Sequence, residues 1–125
     1  MVQEQLLITA VDVKNELGID IGVELGIQPA QVERWLARVQ RTIINHIASY
    51  AYGGLEEAER RVNLPQNKTV MQRAILEQID YLAANNFVQA DKVMKTGAQV
   101  AEPVIAPLAH QMLLNAGLLY TGACV

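Results

Sequence analysis

The sequence predicts an all-α fold: a small helical bundle built on two long antiparallel helices, with an extended loop or hairpin at about 88–104 and an extended C-terminal tail. Two stretches, 29–51 and 68–87, repeat apolar residues at helical spacing. Helix-starting and helix-ending residues flank the segments. The chain has 125 residues, a length that one hydrophobic core serves, so we expect a single domain over 1–125.

The first element is a short helix over about 10–17. Thr9 is placed to cap its N-terminus, Asp12 suits the positive end of the helix dipole, and Gly18 is placed to end it. The next stretch, 18–28, carries glycines at intervals of four, a spacing found on membrane dimer faces when the segment is apolar. Acidic residues interrupt it here, so we expect a loop or a short frayed turn.

The strongest helical pattern runs from Pro29 to about Ala51, with proline at a favourable first helical position. The apolar stripe comprises Val32, Trp35, Leu36, Val39, Ile43, His46, Ile47 and Tyr50. Arg34, Arg38 and Arg41 fall on the opposite side. This pattern predicts a long amphipathic helix whose basic face is exposed.

A second long helix is expected over about 68–87, introduced by Pro65. Its core stripe comprises Met71, Ile75, Ile79 and Leu82. The charged stretch before it, 56–61, predicts a solvated turn or a single helical turn. The two long helices are expected to pack against each other as an antiparallel pair.

Residues 88–104 break the helical pattern without having the composition of a polar loop. A loose hairpin that turns near 96–97 is one interpretation, and an extended loop is the other. So long an irregular stretch in a small domain is typical of function or disorder. Its apolar residues, Val93 and Met94 among them, favour a loop that orders against a partner.

The last helix, at about 107–116, is apolar on several sides, which predicts that it is buried. Gly117 is placed to end it. Leu118, Leu119 and Tyr120 continue the apolar character beyond the helix. This tail is expected to dock, either back on its own core or on a neighbouring molecule.

Motifs for catalysis and cofactor binding are missing from the sequence, including phosphate loops, dinucleotide-binding turns and zinc-protease helices. His46 lies on an apolar stripe and is expected to be a hydrogen-bonded core histidine, and His110 to pack or to contact a helix end. Asp12 and Glu16 lie on one helix face, which favours a solvated acidic face over a catalytic pair. A single cysteine, Cys124, excludes a disulfide framework and a multi-cysteine metal site. We therefore expect no enzyme, no cofactor and no metal site.

The composition limits the classes of partner that we expect for this protein. A net charge of −3 argues against a dedicated nucleic-acid binder. No stretch approaches the ~18 consecutive apolar residues of a membrane span, and the first residues lack the basic region of a signal peptide. We expect a cytosolic chain without a membrane partner. Apolar residues make up 51% of the chain and charged residues 18%, a balance that excludes disorder and suggests that a partner covers some apolar surface.

Charge is divided along the chain. Residues 1–33 hold six acidic residues against one lysine, a net −5, and residues 34–73 hold seven basic against three acidic residues, a net +4. Opposite signs on different surfaces suit a head-to-tail contact between copies, which closes into a ring when the rotation allows. The alternative is that both surfaces face water or pair within one chain. The candidate contact residues are Asp12 and Glu16 on the acidic side and Arg34, Arg38 and Arg41 on the basic side.

Four segments follow one another over nearly the whole chain. They are the opening 7–17, the helix 29–51 with the ending Tyr50-Ala51-Tyr52-Gly53, the helix 70–86, and the stretch 107–122 with the ending Asn115-Ala116-Gly117-Leu118-Leu119-Tyr120-Thr121-Gly122. Their order and the chain length resemble the head–tail connector (adaptor) proteins of tailed double-stranded DNA bacteriophages. One departure is the glycine-rich stretch 18–28, which is longer than the tight link expected between the first two helices of that family.

The resemblance implies a helical subunit without catalysis that acts in the virion neck and is assembled in the cytoplasm of the bacterial host. Such subunits form a ring, typically of twelve, beneath the portal protein. The ring extends the DNA channel, with DNA only as cargo, and it docks the stopper or tail completion protein. By position, the protruding loop at 88–104 and the tail at 118–125 would make subunit or portal contacts. The portal-docking candidates are Val93, Met94, Leu118, Leu119 and Tyr120.

A DNA-binding module is the alternative function, such as a terminase small subunit or a helix-turn-helix protein. A short helix, a glycine turn and a long helix with Arg34, Arg38 and Arg41 fit that pattern superficially. Against it, the first 33 residues are strongly acidic, and the arginine face has only Asn45 as a polar companion for reading bases.

Overall fold

The computed structural model describes residues 6–85 and 105–119, and within these ranges the fold is all-helical, as predicted. The six α-helices are α1 (Ala10–Leu17), α2 (Ile21–Leu25), α3 (Pro29–Tyr50), α4 (Gly54–Val62), α5 (Lys68–Ala84) and α6 (Pro107–Asn115), with a 3-10 turn at Pro65–Asn67 before α5. None of these helices combines the length and apolarity that a membrane crossing requires. The predicted loop 88–104, with Val93 and Met94, and the tail from Tyr120 onwards lie outside the described residues.

Helix α1 has the bounds and both ends that the sequence predicts. The Thr9 hydroxyl accepts the Asp12 backbone N–H at 3.2 Å, and the Asp12 carboxylate accepts the Thr9 N–H at 2.9 Å, which completes a capping box. Gly18 ends the helix with φ +70°, a conformation that other residues adopt only with strain. The stretch after it is more ordered than a loop or frayed turn, because Asp20 caps the five-residue helix α2.

Helices α3 and α5 bury the stripes expected of them. The predicted core residues of α5 are all buried, and on α3 the stripe is buried except for His46, which is half-buried, and Tyr50, which is exposed. Both helices contribute to one hydrophobic cluster, which also includes Ile8, Val13 and Ile21 from the N-terminal part of the fold. A single core therefore unites the described residues.

The prediction for 56–61 was wrong, because this stretch belongs to the nine-residue helix α4. Helix α4 lies along α3 and is its most extensive neighbour, whereas α5 has its most extensive contacts with α6. Ala58 and Val62 bury the inner face of α4, while its Glu56 and Glu59 side chains stay exposed. Most of the charged residues of α4 thus lie on its outer side, whereas Arg61 is buried.

The start of the predicted extended tail is folded back. After α6, Gly117 adopts φ +77°, the Leu118 N–H binds the Leu113 carbonyl at 3.0 Å, and the Gly117 N–H binds the Leu114 carbonyl at 3.1 Å. These two bonds form a Schellman motif, whose usual hydrophobic contact is supplied by the buried Leu113 and Leu118. Leu118 and Leu119 are therefore turned into the core.

Buried amide side chains hold segments that are distant in sequence. The Gln40 side chain accepts the Leu7 backbone N–H at 2.8 Å, and the Gln72 amide donates to the Leu7 carbonyl at 3.0 Å, which fixes the segment before α1. The Gln78 side chain accepts the Ala106 N–H at 2.7 Å, which ties the start of α6 to α5. Because unpaired buried N–H groups are costly, these contacts set the register of both segments.

Candidate functional site

The predicted basic face of α3 divides into two parts. Arg34 and Arg38 are exposed, and neither guanidinium makes an ion pair or hydrogen bond with another residue of 6–85 or 105–119. Arg41 instead pairs with Glu59 of α4 at 3.1 Å. For Arg41, the structure therefore supplies the within-chain partner that the sequence left as an alternative. We call Arg34 and Arg38 the arginine stripe.

The predicted acidic contact residues border a cleft between α1 and α5. Asp12 and Glu16 line this cleft of about 360 Å³ from α1, while Arg73 and Glu77 line it from α5. The Asp12 carboxylate is engaged in the capping box. Arg73 also places a positive charge among the acids, so this cleft carries both signs.

A second surface combines apolar side chains with acidic edges. A groove of about 380 Å³ lies where α1, α2 and the first turns of α3 meet, and its apolar lining includes Val11, Ile27 and Val32. Asp20 and Glu33 are the charged residues among the part of its lining that the structure describes, and no basic residue is found there. We call this surface the acidic-edged groove. Apart from Leu36, the described lining belongs to the acidic first 33 residues, although the sequence alone did not single this groove out.

Two of the portal-docking candidates of the tail belong to the described residues, and both lie inside the subunit. Leu118 and Leu119 are 1% and 5% exposed and belong to the main hydrophobic cluster. Arg61 of α4, itself 1% exposed, donates to the Leu118 carbonyl at 3.2 Å. Docking through either leucine would require that it leave this core.

The carboxylate of Glu57 binds Arg61, the residue that contacts Leu118, and also binds Arg60. It accepts a bidentate pair of hydrogen bonds from Arg60, at 2.8 and 2.6 Å, and one from Arg61 at 2.7 Å. The hydrogen bonds from Arg60 and then from Arg61 lower the pKa of the Glu57 carboxyl from 4.5 to about 2. The carboxylate stays ionised at neutral pH and neutralises the buried arginine.

The two histidines meet although they are far apart in sequence. His46 Nε2 of α3 and His110 Nδ1 of α6 are 2.9 Å apart, a hydrogen-bonding distance, so His46 has the hydrogen-bonded role predicted for it. Tyr50 contacts both rings, with centroid separations of 5.2 Å to His46 and 5.9 Å to His110. The described part of the chain contains no group of three or more acidic, histidine or cysteine side chains that could hold a metal ion.

Several structurally important residues were missed at the sequence level. Arg61 was counted as part of a solvated charged stretch, and Gln40 and Gln78 were not singled out. The signal available for the two glutamines was helical spacing, because Gln40 lies four residues after the core residue Leu36 and Gln78 three residues after the core residue Ile75. For Arg61 no local signal exists, because Leu118 lies 57 residues away along the chain.

Comparisons with known proteins add no relative: no protein-family model, no curated protein and no solved structure matches this chain.

Proposed function

We propose that this protein is a structural subunit of a bacteriophage virion, a head–tail connector that forms a ring beneath the portal. The ring, of twelve subunits by the resemblance, would extend the DNA channel and dock the stopper or tail completion protein in the virion neck. DNA would be cargo only, and the subunit would assemble in the cytoplasm of the bacterial host without catalysis.

The observation that carries this proposal is the separation of unpaired charge on the surface. Arg34 and Arg38 project from α3 without a partner in the described ranges, while Asp20 and Glu33 border an apolar groove without a basic neighbour in its lining. Surfaces that differ in sign and shape favour a heterologous contact between copies, which closes into a ring when the rotation allows. The order of helices in the sequence supports the same proposal.

Two further features belong to the proposal. Helices α3 and α5 would run antiparallel as the centre of the subunit. The loop 88–104, with Val93 and Met94, and the tail from Tyr120 onwards would contact the portal. Leu118 and Leu119 would support that tail from within the core, where they are buried.

The test is the native mass of the purified chain at high concentration, together with electron micrographs of the same sample and of the sample mixed with portal rings. We expect closed rings of about a dozen subunits, alone or on the portal. A chain that forms no ring and does not bind portal rings would contradict the proposal.

The alternative DNA-binding function is favoured by one observation: Arg34 and Arg38 lie four apart on one exposed helix face, a spacing that can contact successive phosphates. A duplex-binding titration at several salt concentrations separates the two functions. A DNA binder would show an affinity that falls steeply with salt, whereas a connector subunit would show weak duplex binding at every salt concentration.

A further inference from the structure

We infer that the acidic-edged groove receives the arginine stripe of a second copy of this chain. The inference rests on the proposed function and names the two surfaces that would form the contact in the ring. It places the acidic partner at Asp20 and Glu33 instead of the predicted Asp12 and Glu16.

The two surfaces lie on opposite sides of the same helix. Val32, Glu33 and Leu36 line the groove, and at 3.6 residues per turn Arg34 and Arg38 lie about 120–160° around the helix from Val32 and Leu36 and about 100–140° from Glu33. The burial pattern agrees, because Val32 and Leu36 are buried whereas both arginines are exposed. A copy that docks on one side of α3 therefore leaves the other side available for the next copy, as a ring requires.

The chemistry of the two surfaces is complementary. Arginine has a charged, planar head that binds carboxylates and an aliphatic stem that covers apolar surface. In the groove, carboxylates at Asp20 and Glu33 stand beside apolar side chains such as Val11, which is 65% exposed. Docking would thus cover an exposed apolar patch and pair both charges in one contact.

The cleft between α1 and α5 is the weaker candidate for this partner. Its carboxylates already have Arg73 beside them, and Asp12 is held in the capping box of α1. A second group of arginines would meet repulsion from Arg73. Asp20 of the groove likewise caps α2, but Glu33 is exposed and the described lining of the groove contains no basic residue.

The two sides can be tested by complementation between variants. The stripe variant, Arg34→Ala/Arg38→Ala, keeps the groove, and the groove variant, Val11→Arg/Glu33→Arg, keeps the stripe. We expect each variant alone to lose self-association by on the order of 100-fold or more, because close charge pairs at interfaces contribute strongly. Mixed together, they should form a 1:1 complex that grows no further, since only one intact contact exists per pair.

A matched control is Lys14→Glu/Lys68→Glu, which reverses two exposed charges outside the linings of the groove and the cleft and should assemble like the unaltered chain. Circular dichroism of every variant verifies the helical fold. Analytical ultracentrifugation gives the masses. Assembly of the stripe variant at the level of the unaltered chain overturns the inference, as does failure of two folded variants to form the 1:1 complex.

The outcomes also separate this inference from the proposed function. If rings persist in both variants, the groove contact is overturned and the connector function is unaffected. If rings are lost only in Asp12→Lys/Glu16→Lys, the contact belongs to the cleft between α1 and α5. A chain that stays monomeric at the highest concentration also overturns the inference, and binding to portal rings then decides the function. Loss of self-association in both variants, together with 1:1 complementation, supports the contact even for a chain that does not bind the portal.

Discussion

The guanidinium of Arg61 on α4 donates a hydrogen bond to the backbone carbonyl of Leu118, 57 residues away, at 3.2 Å. The arginine is 1% exposed, and its charge is balanced by Glu57 of the same helix at 2.7 Å. A buried cation is costly unless it is paired and hydrogen-bonded, and here both conditions are met. The contact joins α4 to the segment that follows α6, two parts of the chain that no local pattern connects.

Replacement of Arg61 should therefore weaken the fold as a whole. We expect Arg61→Ala to lower the free energy of unfolding by about 3 kcal/mol, since a buried partner is removed and a void is left. Arg60→Ala is the matched control, because Arg60 binds the same carboxylate from an exposed position and should cost less than about 1 kcal/mol. Urea unfolding, followed by the fluorescence of the single tryptophan, Trp35, measures the free energy of unfolding of both variants. Equal losses in the two variants would contradict the structural role of Arg61.

Helices with strong local signals could be predicted from the sequence. The bounds of α1 were correct because Thr9, Asp12 and Gly18 determine its ends within a few residues. Helix α3 was predicted to within one residue at its C-terminus for the same reason, since its apolar stripe is regular and proline marks its start.

The features that depend on distant contacts could not be predicted. Helix α4 has the composition of a solvated turn, and what buries Arg61 is its position against Leu118. The fold-back of Leu118 likewise depends on the core that receives it. The acidic-edged groove draws its lining from three helices, so its apolar and acidic residues come together only in the folded chain.

Acid should weaken the fold through Glu57. The pKa of its carboxyl is lowered from 4.5 to about 2 by hydrogen bonds from Arg60 and then Arg61, so the folded chain binds fewer protons there than the unfolded chain. The stability that this carboxylate contributes is present above about pH 4.5 and is lost as the pH falls towards 2. Unfolding measured between pH 5 and pH 2.5 should show a smaller decline for Glu57→Gln than for the unaltered chain. Parallel declines would show that Glu57 is not the group responsible.

The amide of Gln78 should be needed to hold the start of α6. Its side chain, 2% exposed, accepts the Ala106 N–H at 2.7 Å. Gln78→Met keeps the approximate volume but leaves that buried N–H without its acceptor, which should cost about 2 kcal/mol. Gln111→Met is the control, because Gln111 is exposed and, among the described residues, its side chain binds Asn115 of the same helix; it should cost about 0.5 kcal/mol or less. Thermal unfolding compares the stabilities of the two variants. If Gln78→Met is as stable as Gln111→Met, the Gln78 amide is not needed to hold the start of α6.

Two leucines near the end of the described chain distinguish a core role from a docking role. Leu118 is 1% exposed and closes the Schellman motif after α6, whereas Leu114 is 49% exposed on that helix. We expect Leu118→Ala to cost about 3 kcal/mol of unfolding free energy and Leu114→Ala less than about 1 kcal/mol. Removal of residues 118–125 should accordingly weaken the subunit itself, so a failure of that truncated chain to join heads would not identify the tail as a portal anchor. A Leu118→Ala subunit that is fully stable yet fails to bind portal rings would reverse this conclusion and assign Leu118 to docking.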